Sequence, residues 1–366
     1  MYKIIVFKYK IRYITNMSKD KEIIEKYGGK GLTGLANLGN TCYLNSTMQI
    51  ISHTYQLNKF LDSKYQNRLN KVPESVLLVE WDKLRNLMWS ENCTVSPAGW
   101  VQAVQKVAKL KNRDLFSGWE QNDLPEFLLF LIDSFHVAMQ REVDMNIKGN
   151  VMNERDKLAK VCYEMMQNIY KKEYSELLNI FYGIQVTQIV DMEGKMLSAV
   201  PEPFFMIDLP LSQGKNPTLE MCLDEYYKPE RMDGDEQYFN EEKNQKEDVD
   251  RSLCVWSFPN ILVISFKRFN NTGRKDQRLV SFEINDLNLS KYVKGYDKNS
   301  FIYDLYGICN HSGGTWGGHY TACVKNANGK WYHFNDTNVH EIGENDVEKI
   351  ISNQAYCLFY EKKNVL

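Results

Sequence analysis

An α+β fold, helix-rich in its first half and built of antiparallel strands in its second, is what this sequence predicts, on three observations. Apolar residues from Met48 to about Leu110 recur at helical spacing, as in Leu77, Leu78, Trp81, Leu84, Leu87 and Met88. Past residue 181 the pattern becomes strand-like alternation with turn signals at Glu193-Gly194 and Pro201. The residues that read as chemistry are divided between the halves, a cysteine in the first and a histidine in the second.

The chain has 366 residues, 43% of them hydrophobic, enough for a large core in one elaborate domain or in two. A net charge of -2 and a pI near 6.4 leave no electrostatic footprint for nucleic acid. No apolar run approaches the roughly 20 residues needed to span a bilayer. Eight cysteines without a C-x-x-C pair fit a reducing compartment, cytosol or nucleus, better than a disulfide framework.

In chain order, MYKIIVFKYKIRYITN interleaves basic with apolar residues and so lacks the unbroken apolar core of a signal peptide. A short strand, a weak targeting segment and an extension upstream of a start at Met17 all fit it, and a dispensable extension is favoured. Residues 17 to 30 are charged and end in Gly-Gly, a lead-in to a fold expected from about Gly31.

Next comes GLANLGNTCYLNSTMQI, residues 34 to 50, in which Cys42 follows a Gly/Asn-rich turn and precedes an apolar run, so it is expected to open a helix. Unpaired N–H groups and the helix dipole at such a position favour the thiolate and make the sulfur a nucleophile. The same N–H groups can hold a developing oxyanion, and Asn37, five residues upstream, can add an amide donor. Taken alone, the position also fits a half-buried thiol that only packs. The helical pattern then breaks at Pro73 and at Ser96-Pro97, where Ser96 is expected to cap a helix carrying Pro97 in its first turn.

FSGWEQNDLPEFLLFLIDSFHVAM, residues 116 to 139, reads as a strongly apolar helix with Gln121, Asp123 and Glu126 crowded at its N-terminal end. Carboxylates there either cap the helix or form a cleft lip for a basic ligand. Residues 140 to 182 continue charged and helical in pattern, and residues 219 to 250 begin as a helix and end in a charged hairpin or loop. CVWSFPNILVISFKRF, residues 254 to 269, is the best buried-strand candidate, with further strands around Leu279–Ile284, Tyr303–Asn310, His319–Lys325, Lys330–Asn335 and Ala355–Tyr360.

In HSGGTWGGHYTACVKN, residues 311 to 326, four glycines around Thr315-Trp316 suggest a mobile loop, with His319 where it enters a strand. A histidine there stands at a glycine-rich gap on a rigid element, as a general base beside a thiol requires. Asn335 and Asp336 end the next strand, and antiparallel pairing can bring one of them to the imidazole to fix its tautomer.

These stretches together resemble the ubiquitin-specific proteases, papain-like cysteine peptidases acting at ubiquitin's C-terminus, over residues 31 to 360. GLANLGNTCYLNST is similar to the family's cysteine box, NHSGGTWGGHYTACVKN with WYHFND to its histidine box, and FSGWEQNDLPEFLLFLIDSFH to the glutamine-containing segment between them. FFMIDLPL, LEMCLDEYYKPERMDGDEQYF and FPNILVISFKRF resemble its β landmarks. The resemblance implies one catalytic domain from residue 31 to 366 after an N-terminal extension of residues 1–30 that need not be ordered, with a thumb over about 31–180 and fingers and palm over about 181–362. It implies Cys42 as nucleophile, His319 as base, Asn37 in the oxyanion hole, and Asn335 as third member, ranked ahead of Asp336. It further implies Asp123 and Glu126 facing the arginines of ubiquitin's tail, with Tyr320 on the same surface. The expected partners are ubiquitin and ubiquitinated proteins, with no nucleic acid, no membrane, no cofactor and a monomeric state. The rival readings are an inactive ubiquitin-binding scaffold and a peptidase for another ubiquitin-like modifier.

Two departures stand out. Where family members often carry zinc-binding C-x-x-C pairs, this chain has IVDMEGK and QYFNEEKN, so no tetrahedral thiolate site can be built and strand pairing must hold the fingers. Leu124-Pro125 also occupies positions that are usually polar.

Overall fold

The computed structural model describes residues 3–5, 17–63, 65–315 and 317–363. Of the first sixteen residues it describes only Lys3–Ile5, which pairs in parallel with Asp144–Asn146. The rest of that extension and Trp316 of the glycine-rich stretch lie outside the described residues.

The helices are α1 (Met17–Tyr27), α2 (Cys42–Ser52), α3 (Tyr55–Leu61), α4 (Pro73–Ser90), α5 (Ala98–Leu110), α6 (Leu124–Met139), α7 (Glu154–Glu173), α8 (Glu176–Phe181) and α9 (Leu219–Tyr226). The charged lead-in is mostly helix α1. Lys26 reaches Asp62 at 2.5 Å, the Tyr27 ring meets Trp89 edge-on at 4.8 Å, and the Gly29 N–H donates to Asn326 Oδ1. Pro73 starts α4 rather than merely interrupting a pattern, because a proline in the first turn sacrifices no helical hydrogen bond. Ser96 does not cap α5: the helix begins at Ala98, Pro97 takes the cap position, and no side chain bonds the free N–H groups. The helical reading of 140–182 is broken by the strand Asp144–Asn146.

The large sheet runs Asn338–Ile342, Trp331–Asn335, Gly317–Lys325, Ile302–Gly314, Ala355–Lys362, Ile261–Lys267, Met206–Pro210. Its neighbours are antiparallel except for the last pair, which is parallel. Side chains alternate between its faces: Ile261 and Val263 join the core under the helices, while Leu262, Ile264 and Phe266 join a second core against α9. Burial on both faces explains why this strand reads as an unbroken apolar run.

A second, antiparallel sheet has the order Met196–Phe204, Gly183–Asp191, Val249–Ser257, Glu230–Met232, with Leu158, Ala159 and Cys162 of α7 packed on Val186, Cys254 and Trp256. The single strand expected over residues 254 to 269 is therefore two strands in two sheets, parted at Phe258-Pro259-Asn260, since a proline cannot donate to a ladder. Nor is Leu279–Ile284 a strand. Only Ser281 bridges, to Thr218, and its backbone bonds Pro217 and Leu219 at the start of α9.

Candidate functional site

Helix α2 carries the cysteine through the middle of the molecule. All eleven of its residues are buried, the polar ones included. Ser46 and Thr47 bond carbonyls one turn back, Gln49 donates to Thr33 O at 2.8 Å, and Asn45 donates to Asp336 Oδ1 at 2.7 Å. A helix end so enclosed is rigid, and Cys42 is its first residue.

The turn before it is folded by Asn37, whose Oδ1 accepts from the N–H groups of Gly39 at 3.1 Å and Thr41 at 3.2 Å. Its Nδ2 donates to Asp336 Oδ2 at 3.0 Å. Gly34 lets the 336–337 turn come this near: a Cβ on it would lie 2.3 Å from Thr337 O, while the Leu35 N–H bonds Asp336 O at 2.9 Å.

The glycine-rich stretch is a hairpin rather than a free loop, with Ser312 opposite His319, Gly313 opposite Gly318 and Gly314 opposite Gly317. At Gly318 a Cβ would fall 2.1 Å from His311 Nε2, so only glycine fits between the two strands. His319 then enters its strand, and the register pairing Ala322 with Phe334 puts Asn335 diagonally across from it on the same face. His319 Nε2 lies 2.7 Å from Asn335 Oδ1; an amide oxygen only accepts, so the imidazole donates there and leaves Nδ1 as the basic nitrogen.

Cys42 faces this strand, with the Tyr320 backbone N–H directed at its sulfur. That donor and the N–H groups of Cys42 and Tyr43 pull the thiol pKa down, as helix-end reasoning expects. Burial outweighs them, and with a smaller push from the Asp336 carboxylate it leaves the pKa above the ordinary thiol value. The lowered thiol pKa expected from sequence is thus corrected in direction: desolvation penalises the Cys42 thiolate more than the helix end rewards it.

Asp336 does not approach the imidazole through any hydrogen bond among the described residues. Both of its oxygens are taken by amides of the helical half, and its φ of 50° turns the chain away after Asn335. Asp123 does not cap α6 with its side chain. Its Oδ1 instead accepts from Tyr320 and Tyr356, both at 3.1 Å, and burial raises its pKa in spite of those donors. Glu126 stands exposed in the first turn of α6 and Pro125 occupies that same turn, so the departure at Leu124-Pro125 buries Leu124 without costing the helix a bond. Cys42, Asp123, Tyr320, Tyr356 and His311 line one cavity of about 280 Å³.

Gln121 is singled out in the sequence without a role; Asn45 and Tyr356 escaped the sequence reading of the site. Gln121 accepts from the Gly318 N–H at 3.0 Å and so ties the helical half to the hairpin. Asn45, three residues after Cys42, donates to Asp336 Oδ1. Tyr356 sits in a strand with no local signal. A cleft of this kind offers a buried thiol, an oriented imidazole, backbone N–H donors and a desolvated carboxylate, which suits acyl transfer next to a basic group.

A sequence model of the family described as ubiquitin carboxyl-terminal hydrolase matches residues 33–360. The chain is 34% identical over 340 residues to ubiquitin carboxyl-terminal hydrolase Usp2 of Drosophila melanogaster, covering 91% of this chain and 35% of that protein. It is 32% identical over 357 residues to ubiquitin carboxyl-terminal hydrolase 2 of Homo sapiens, covering 94% and 57%. It thus spans between a third and three fifths of the length of these curated relatives. Among solved structures, the Ubp8/Sgf11/Sus1/Sgf73 DUB module bound to ubiquitin aldehyde superposes with a TM-score of 0.69 at 25% identity, over 92% of this chain and 70% of that one. A match running through both halves, from before the cysteine to beyond the histidine strand, cannot come from a shared helix or sheet alone: this chain belongs to the ubiquitin carboxyl-terminal hydrolase family, as a ubiquitin-specific protease.

Proposed function

We propose that the chain is a deubiquitinating cysteine protease that hydrolyses the isopeptide or peptide bond after ubiquitin's terminal glycine. The observation that carries this is the 2.7 Å bond from His319 Nε2 to Asn335 Oδ1, on a strand whose Tyr320 N–H points at Cys42. His319 takes the thiol proton through the nitrogen that Asn335 leaves free, and the Cys42 sulfur attacks the glycine carbonyl. The Tyr320, Tyr43 and Cys42 N–H groups that face the sulfur stand close to where the oxyanion develops. The C–N bond breaks as His319 returns its proton to the leaving amine, and water then cleaves the thioester to release ubiquitin's carboxylate and the thiol.

Asp123 takes an arginine of ubiquitin's tail: a desolvated carboxylate held by two phenols and lacking a cation among the described residues is matched by a guanidinium. Glu126 adds a more exposed charge beside it. Asn37 acts on the oxyanion through the turn it folds, and Asp336 through Asn37. The four-stranded sheet serves as fingers, the large sheet as palm and the helical half as thumb. Eight free cysteines favour the cytosol or nucleus, and among the described residues no helix is long and apolar enough to cross a membrane.

The test is a panel of C-terminal electrophile probes built on ubiquitin and its relatives. Labelling at Cys42 by the ubiquitin probe is expected. Binding without labelling makes the chain a scaffold, and preference for another modifier's probe reassigns the substrate.

A further inference from the structure

Beside the cleft lies a larger cavity of about 1140 Å³, which adjoins it at Phe269 and Gly314. Five cationic side chains line it, Lys267, Arg268, Arg274, Lys275 and Arg278, against the single carboxylate of Asp276. The chain as a whole carries a net charge of -2, so this concentration is local. Arg278 already holds Asp276, through Nε at 2.9 Å and Nη2 at 2.6 Å. The other four cations have no ion-pair partner among the described residues.

Arg268 is the most demanding of them. It is only 1% exposed, and its Nε and Nη1 donate to the carbonyls of Ala355, Asp276 and Arg278, while its Nη2 has no partner. A buried guanidinium with neutral acceptors and an idle N–H₂ is costly unless an anion completes it. Lys275 donates to His311 O at 2.6 Å, and burial together with the charge of Arg268 holds its ammonium down at about 8. Lys267 and Arg274 are exposed at the rim. Cations crowded in this way repel one another, and what relieves them is a compact, multiply charged acceptor.

We propose that this cavity is a binding site for a phosphate-class oxyanion, a phosphomonoester or diphosphate, held by Arg268, Lys275, Lys267 and Arg274. A phosphoryl group carries close to two negative charges and three acceptor oxygens, which matches the idle N–H₂ of Arg268, the Arg274 guanidinium and two ammonium groups where a lone carboxylate would leave cations unmet. The anion has two sources: a phosphorylated side chain of a protein, or a free polyphosphate. The position next to Gly314 puts a phosphorylated conjugate within reach if the hydrolase reading holds; the site itself does not depend on that reading.

The experiment is calorimetric titration of the full chain with inorganic pyrophosphate and, separately, with a phosphoserine peptide and its unphosphorylated form. Saturable binding that weakens with added salt is expected, and the Lys267→Ala/Arg274→Ala variant weakens it by about tenfold or more. These two side chains are exposed and make no hydrogen bond of their own among the described residues, and an unchanged melting temperature without ligand verifies that the variant is folded. Tighter binding of the phosphopeptide than of pyrophosphate assigns the site to phosphoproteins, and the reverse assigns it to a free anion. No saturable binding of either probe, binding of the unphosphorylated peptide equal to that of its phosphorylated form with none of pyrophosphate, or binding untouched by the double variant overturns the proposal. None of these measurements uses turnover, so failure of the protease reading is read separately.

Discussion

The thiol-bearing helix and the four-stranded sheet belong to one chain yet are held in place by different means. Every residue of α2 is buried, and Asn45, Ser46, Thr47 and Gln49 each donate to a fixed acceptor. Of the nine residues of Met196–Phe204 only Phe204 is buried. The tips of that second region rely on turns and ion pairs: Asp191 Oδ1 accepts from Glu193 and Lys195 N–H groups, Lys195 meets Glu242 at 3.2 Å, and Glu247 bonds Asn240 and Lys243. These are the places where the family resemblance led one to look for zinc, and the lysine–glutamate pairs there are exposed. Where groups are desolvated, each contact is specified and each loss is expensive; where water competes, contacts are many, weak and replaceable.

That contrast orders the expected effects. Cys42→Ala is expected to lower hydrolysis of a ubiquitin C-terminal reporter by about 10⁴-fold or more, since it removes the nucleophile, while ubiquitin binding persists. Activity near wild type in that variant would place the chemistry elsewhere.

Asn335→Ala frees the imidazole from its 2.7 Å acceptor and is expected to cut kcat by about 10²-fold or more with little change in KM, because the interaction matters mainly in the transition state. Single-turnover and steady-state rates for both Asn335→Ala and Asp336→Ala rank the pair. A dead Asp336→Ala beside a healthy Asn335→Ala would reverse the ranking argued from geometry.

Asp336 sharpens the comparison from the electrostatic side. Asp336→Ala removes the acceptor of the Asn37 amide and the shortest acceptor of the Asn45 amide, and is expected to destabilise the chain by about 1–3 kcal/mol, measured by chemical denaturation. Asp336→Asn removes an anion that raises the Cys42 pKa. Removing a negative neighbour favours the thiolate, so the midpoint of Cys42 alkylation against pH is expected to move down; a move upward would mean that the carboxylate helps the thiolate through some other group.

The smallest effect belongs to the second region. Lys195→Ala breaks an ion pair whose side chains are 61% and 78% exposed, and the melting temperature is expected to move by less than about 2 °C. A metal chelator is likewise expected to change neither stability nor activity. A large loss in either case would show that the fingers are organised by something other than strand pairing.

The sequence by itself determined a good deal. It placed the start of α2 at Cys42, the strands around His319 and Asn335, and the division of the chemistry between a helical and a β half. Those features rest on spacing, turn residues and alternation, which are local and act wherever the segment lies. It misjudged residues 254 to 269 and the cap at Ser96 because a proline's effect depends on which ladder or turn its neighbours join. Tertiary structure alone decided that the Asp336 carboxylate serves Asn37 and Asn45, partners 299 and 291 residues away. It also decided that Asp123 meets two tyrosines of the β half and that burial pushes the Cys42 thiol pKa up rather than down. The reason is common to all three: a charge in a cleft is governed by the water it loses and by whatever distant segment packs over it, and neither is written in the residues beside it.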